Sequence, residues 1–313
     1  PLSVMLLLAG SCIACAQEQP ANVFITLGTA GGPLTEANRS QPANALLVGD
    51  DLYLVDAGDG AAGQLAKAGF LIQQVRGLFL SHLHFDHTGG VMALLGLRMQ
   101  LNADSTLMIY GPPGTQTLID GLLEGMDPIM KAAYGMPGQA WGAQVDVVEL
   151  VNGSSVELAG LTVTAAQNSH FKIPNGSISD EKAKSLSFRF DMADRSIAFT
   201  GDTGPSTAVE KLAQGADILV SEMMDIPAVL ANVLRITPDM PEQQYRGIEW
   251  HLTAHHITPQ QVGEMAANAG VGHVVVTHMA PNIQDEATAA RYRQEISETF
   301  DGEITIADDL ERF

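Results

Sequence analysis

The chain has 313 residues, 46% of them hydrophobic, with 36 acidic against 16 basic side chains and a formal net charge of −20. That length allows one large domain or two small ones around a sizeable core. The acidity argues against nucleic acid as a partner, because phosphate-backbone binding needs clustered Lys and Arg, and the only dense basic stretch, Lys172 to Arg189, is interleaved with Asp180 and Glu181.

Residues 1–16 predict a cleaved signal peptide. Val4 to Gly10 is apolar but too short to span a bilayer. Ala14-Cys15-Ala16 supplies an A-x-A cleavage pattern before the polar Gln17 to Pro20. The expectation is a periplasmic or secreted protein with a single domain over 17–313. Lipoprotein anchoring is the alternative, since Ala9-Gly10-Ser11-Cys12 resembles a lipobox without its usual Leu. Cys12 and Cys15 both lie in the leader, so the mature chain would hold no disulfide. No other segment is apolar and long enough for a membrane span.

Val23 to Leu27 predicts a strand, followed by the Gly-rich 28–33. Ala45–Val48 and Leu52–Val55 predict a hairpin turned at Gly49-Asp50-Asp51. Asp56 to Gly60 then opens a helix carrying Leu65 and Ala66. Gly77 to Leu80 predicts a short buried strand, and Val91 to Met99 a helix. Thr106 to Tyr110 predicts another strand. Residues 115–143 are Met- and Gly-rich, partly helical, with a cap expected near 112–146. There Met126, Met130, Tyr134, Met136 and Trp141 either line an apolar pocket or simply pack. Strands are expected at 145–150, 155–158, 161–166, 185–190 and 196–200. After them come a helix to Ala213, a strand over 218–220, a loop insert, a helix over 259–269, a strand over 273–277 and a last helix near 284–298. Strands without helices between them should dominate the first two-thirds, with alternating units after. That pattern suits two packed sheets with helices outside.

The strand ending at Leu80 delivers His82-Leu83-His84-Phe85-Asp86-His87 into a loop. Three imidazoles and a carboxylate within six residues suit zinc, with Mn or Fe as alternatives. Three later strands finish on further ligand candidates: Asn168-Ser169-His170, Thr200-Gly201-Asp202-Thr203 and Thr277-His278.

These motifs, in this order, resemble the metallo-β-lactamase superfamily, from Leu27 to about Pro281. The resemblance implies an α/β, four-layer αβ/βα sandwich with a dinuclear metal site, most simply two Zn2+. By it, His82, His84 and His170 hold one metal, Asp86, His87 and His278 the second, and Asp202 bridges. Asp202 stands where β-lactamases of this fold carry Cys or no bridge, and His84 where flavo-di-iron proteins carry an acid. Leu27-Gly28-Thr29, Arg39, Leu54 to Gly60, Ala216 to Glu222 and His256-Ile257-Thr258 resemble ribonuclease Z and its arylsulfatase- and phosphodiesterase-like relatives. Glu222 and His256 would then be an acid/base pair, catalytic together with Asp86. His251 and His255 are alternatives to His256, Asp56 reads as structural or as support for a ligand His, and His273 as structural.

Two metals sharing a hydroxide of near-neutral pKa would attack phosphorus, sulfur or acyl carbon. An acid on the leaving oxygen is worth roughly 10²–10⁴-fold. Ribonuclease Z has a basic tRNA-binding arm, whereas 112–146 here holds one lysine, Lys131, and no arginine. The expected partner is therefore a small-molecule ester, a phosphodiester or aryl sulfate, and no nucleic acid. A lactonase or β-lactamase, and a non-catalytic metal-binding protein, are the alternatives. A homodimer is left open.

Overall fold

A computed structural model describes residues 22–132, 144–173, 183–283 and 285–313. The predicted leader, and Tyr134, Met136 and Trp141, lie outside these residues. The first half runs β1 (Asn22–Gly28), β2 (Ala43–Val48), β3 (Asp51–Ala57), α1 (Ala61–Lys67), β4 (Val75–Phe79), α2 (Phe85–Thr88), α3 (Val91–Gln100), β5 (Leu107–Gly111), α4 (Thr115–Lys131) and β6 (Val145–Glu149). The second runs β7 (Ser155–Leu158), β8 (Leu161–Gln167), β9 (Leu186–Met192), β10 (Ser196–Phe199), α5 (Thr207–Leu212), β11 (Ile218–Met224), α6 (Ile226–Ile236) and α7 (Glu242–His255). It ends with α8 (Pro259–Ala269), β12 (His273–Ala280), α9 (Glu286–Ser297), β13 (Glu303–Ile306) and β14 (Glu311–Arg312).

Two seven-stranded sheets result, ordered β14-β1-β2-β3-β4-β5-β6 and β13-β12-β11-β10-β9-β8-β7. Each is mixed. Antiparallel hairpins build one side of each, while β3 to β6 and β10 to β13 pair parallel. Parallel neighbours need crossovers, which α1, α3 and α4 supply in the first sheet. Helices therefore intervene earlier in the chain than a strand-dominated first two-thirds would have it.

Side-chain alternation sorts the molecule into four layers. On β3, Leu52 and Leu54 face a core with α1 and α3, while Tyr53 and Val55 face the other sheet. On β12, Val275 points between the sheets, and Val274 and Val276 meet α8 and α9. Three cores, helix–sheet, sheet–sheet and sheet–helix, make the αβ/βα sandwich.

The expected loop insert after Val220 is instead the end of β11 followed by two helices. Asp225 caps α6, accepting from the Ala228 N–H at 3.1 Å, and Pro227 sits in its first turn. Helix α7 buries only Leu252 and His255, so its apolar stripe is too thin to announce a helix. β13 and β14 were also not expected, and β14 returns to pair with β1. The described part of 112–146 is α4, whose Ile119 and Met126 join the first core, plus the start of β6. Among the described residues, no helix is long and apolar enough to cross a membrane.

Candidate metal centre

The strand ends that carry the ligand candidates converge, as carboxyl ends of strands in open α/β sheets commonly do around ligands. After β4 the chain turns at Leu80 and Ser81, and the single-turn α2 carries Asp86 and His87 back toward His82. His170 follows β8, Asp202 follows β10, and His278 lies within β12. Gly201 has φ +56°, and a Cβ there would lie 2.9 Å from the Ser81 Cβ, so the Asp202 turn depends on glycine.

Two groups of donor atoms form, each within 4.8 Å: His82, His84, His170 and Asp202, and then Asp86, His87 and His278. Asp202 faces both. Its Oδ1 lies 3.2 Å from the Nε2 atoms of His87 and His278, and its Oδ2 3.8 Å from His82 Nε2 and 4.0 Å from His170 Nε2. Asp86 Oδ2 is 3.6 Å from His87 Nε2 and from His278 Nε2.

The far nitrogens of three imidazoles are committed elsewhere, which sets their tautomers. His87 Nδ1 donates to Asp56 Oδ2 at 2.8 Å. The Ser81 hydroxyl donates to the same Asp56 oxygen at 2.8 Å and so accepts from His82 Nδ1 at 3.1 Å. His170 Nδ1 donates to the His255 carbonyl at 3.0 Å. Each Nε2 thereby faces the cluster: those of His82 and His170 lie 3.0 and 3.2 Å from His84 Nδ1, and that of His87 faces Asp202. Asp56 thus has the supporting place read from sequence. Ser81, the third member of that network, carries no sequence signal beyond adjacency to His82.

Burial holds His82 well below the usual imidazole range and His170 down at about 3, and it lowers His84, so these three are neutral donors. At His87 and His278 burial also opposes charge, but Asp202 outweighs it, with Asp56 at His87 and Asp86 at His278. His87 is raised well above its usual value and His278 to about 9. At Asp86 burial works upward, yet the nearby His278 and His87 imidazoles bring it to about 2. The field around Asp202 therefore favours positive charge.

His87 Nε2, Asp202 Oδ1 and His278 Nε2 are buried without a hydrogen-bond partner. Buried polar atoms are seldom left so, and a cluster of them on nitrogen and carboxylate donors fits cations. The residues present fit a dinuclear metal site.

Beside it, His256 Nδ1 lies 2.8 Å from Glu222 Oε2, and Glu222 Oε1 accepts from the Thr203 N–H at 2.5 Å. The His256 ring stacks 6.3 Å from that of His278 and lies 5.1 Å from that of His170. His255 Nε2 donates to the Lys172 carbonyl at 2.6 Å, and its Nδ1 meets His251 Nδ1 at 2.7 Å. Those two are tied to each other, which leaves His256 as the imidazole on Glu222. His273, at the start of β12, bonds Thr305 at 2.9 Å.

Residues 52–279 match the model of the beta-lactamase superfamily domain. The chain belongs to the metallo-β-lactamase superfamily and is a metal-dependent hydrolase of its ribonuclease Z-like branch. It is 30% identical over 294 residues to ribonuclease Z of Mycobacterium sp. strain KMS, covering 93% of this chain and 95% of that one. Ribonuclease Z of Mycobacterium bovis is 28% identical over 298 residues, covering 92% and 96%. Among solved structures, human tRNase Z, short form, superposes with a TM-score of 0.64 at 20% identity, covering 93% of this chain and 98% of that one. The metallo-β-lactamase fold protein YhfI from Bacillus subtilis gives 0.66 at 19%, again covering 93% and 98%.

The ribonuclease Z relatives overturn one expectation, that the partner is a small-molecule ester with nucleic acid excluded. That exclusion rested on net charge, a sum over the whole surface. A phosphodiester at the centre meets only the few groups there, whose nitrogen and carboxylate donors fit cations.

Proposed function

We propose that the protein hydrolyses phosphodiester bonds of RNA. The observation that carries this is the buried His256–Glu222 pair beside the two ligand groups. Phosphodiester hydrolysis must expel an alkoxide, a poor leaving group that needs a proton. Glu222 accepts from His256 Nδ1, which orients the ring and leaves Nε2 as the outward nitrogen. Burial opposes charge on His256, but Glu222 outweighs it and raises its pKa, so the ring holds a proton to give. The ribonuclease Z relatives support the RNA substrate. His82, His84, His170 and Asp202 would hold one divalent ion, and Asp86, His87 and His278 the other, with zinc suited to these donors. Such a pair supplies Lewis acidity, activating water near neutral pH and offsetting charge on phosphoryl oxygens. Export remains part of the proposal, carried by the apolar Val4–Gly10 and the Ala14-Cys15-Ala16 pattern.

Turnover of His256→Ala on two diesters tests the acid. The variant should keep both metals and lose about 10²–10⁴-fold on an RNA dinucleotide, where an alkoxide leaves. It should lose little on a 4-nitrophenyl diester, whose leaving group needs no proton. Equal losses would remove His256 from the acid role. Wild-type turnover of an aryl sulfate or a lactone, with none on RNA, would overturn the substrate.

A further inference from the structure

Phe85 stands between His84 and Asp86 in the chain, one residue from each ligand group, and its side chain is 76% exposed. Phe171, by contrast, packs its ring 4.8–5.9 Å from those of His82, His84 and His170. A lone exposed apolar residue would need no explanation, but Phe85 is not alone. Its ring lies over Gly89, where a Cβ would come within 3.0 Å of it. Gly89 in turn lines a hollow of about 510 Å³ between α3 and α4, walled by Met92, Leu97, Met99, Met126, Ile129 and Met130. That volume is in the range of small-ligand sites. Phe85 therefore stands at the Gly89 edge of a methionine-lined recess.

The recess offers a phosphate no cation, and Gln100 is the one polar side chain in its lining. Apart from His87 at the centre, helices α2 to α4 carry two basic side chains, Arg98 and Lys131. Arg98 turns inward to the carbonyls of Ile72, Val75 and Ser105, at 3.1, 2.7 and 2.7 Å. Lys131 pairs with Asp127 at 2.6 Å. A group that enters beside the reacting phosphorus on this side must be flat, apolar-faced and uncharged. Thioether and phenyl groups are soft partners for such a ring.

We infer that Phe85 and the methionine-lined hollow hold the nucleobase adjacent to the scissile phosphodiester, so that this side of the substrate is recognised by stacking. The inference rests on the RNA-hydrolase function proposed above. It also gives the proposed RNA substrate a contact that needs no cation on a chain with a net charge of −20, since a base stacks on an aromatic ring through its π-face.

The test compares diuridine monophosphate with its two analogues that each lack one base, on wild type, Phe85→Ala and Phe85→Trp. Wild type should show a lower KM for the base-bearing diester than for one of the analogues. Phe85→Ala should shrink that preference about tenfold while holding its metals, and Phe85→Trp should restore it. Met130→Trp, which fills the hollow, should shrink it as well. Calorimetric binding of uridine 3′-monophosphate against ribose 3-phosphate reads the same preference without turnover. A wild type indifferent to the missing bases would overturn the inference. So would a Phe85→Ala that lowers kcat on all three diesters alike, which marks a loop support. A dimer dissociated by Ile129→Glu would assign the hollow to a second copy. Base preference in binding with no diester cleaved would sink the proposed function and leave the base site standing. Cleavage without base preference would do the reverse.

Discussion

Asp202 is the residue on which the centre turns, because its two oxygens face different ligand groups. Removing it strips one donor from each and leaves four neutral or charged imidazoles without their counter-charge. Asp202→Ala should therefore fall from about two metal equivalents to one or fewer in elemental analysis of the purified protein, with turnover lost. Two equivalents retained would refute the bridge. The ligand types were legible in the primary structure because His and Asp at strand ends in H-x-H-x-D-H order have few other uses. Their tautomers were not. The nitrogen left for a cation is set by what the other one bonds, and those acceptors are Asp56, Ser81 and the His255 carbonyl, 31, 1 and 85 positions away.

Helices α6 and α7 show what an element needs beyond its own residues. Asp225 caps α6, and its Oδ2 also accepts from Arg291 at 2.6 Å and from the Tyr292 hydroxyl at 3.0 Å, which ties α6 to α9. Burial works to raise its pKa, but the Arg291 bond, the Ala228 N–H and the Tyr292 hydroxyl outweigh it and hold the carboxyl below the usual range. A folded pKa below the unfolded one contributes stability that is complete above about pH 4 and fades as pH falls through the folded value. Asp225→Asn should cost about 1–2 kcal/mol at pH 7, and the gap to wild type in chemical denaturation should close below pH 4. A gap independent of pH would mean that the charge contributes nothing. Strands that are near-continuous buried apolar runs, such as β3 and β12, were readable in place. Helix α7 was not, because it presents two buried residues to its neighbours and solvent to the rest.

At the scale of the molecule, the ligands come from both sheets: His82, Asp86 and His87 follow β4 of the first, and His170, Asp202 and His278 sit on or after strands of the second. Cations bound between them would act as cross-links. Dialysis against a chelator should lower the thermal midpoint, by about 3–4 kcal/mol of stability for metal at 100 to 1,000 times its dissociation constant, and re-addition of zinc should restore it. An unchanged midpoint would show that the sheets need no help from the site. The whole-molecule charge, in contrast, misled as to substrate. A net −20 is a sum over the whole surface, whereas the chemistry sits among a few buried donors that fit cations.

The sequence by itself determined the layers and the donors. Apolar runs bounded by turn residues mark the strands, their order with the helices suits packed sheets with helices outside, and the ligand motifs recur at strand ends whatever the loops do. The resemblance already paired His256 with Glu222 and set Asp202 between two groups; tertiary structure alone decided which nitrogen of each ligand His is tied up, by Asp56, the Asp56-bound Ser81 and the His255 carbonyl, and the placement of Phe85 beside a hollow built by α3 and α4. Each of these joins residues from elements distant in the chain. Such contacts follow from how sheets and helices pack, and no local pattern of residues encodes them.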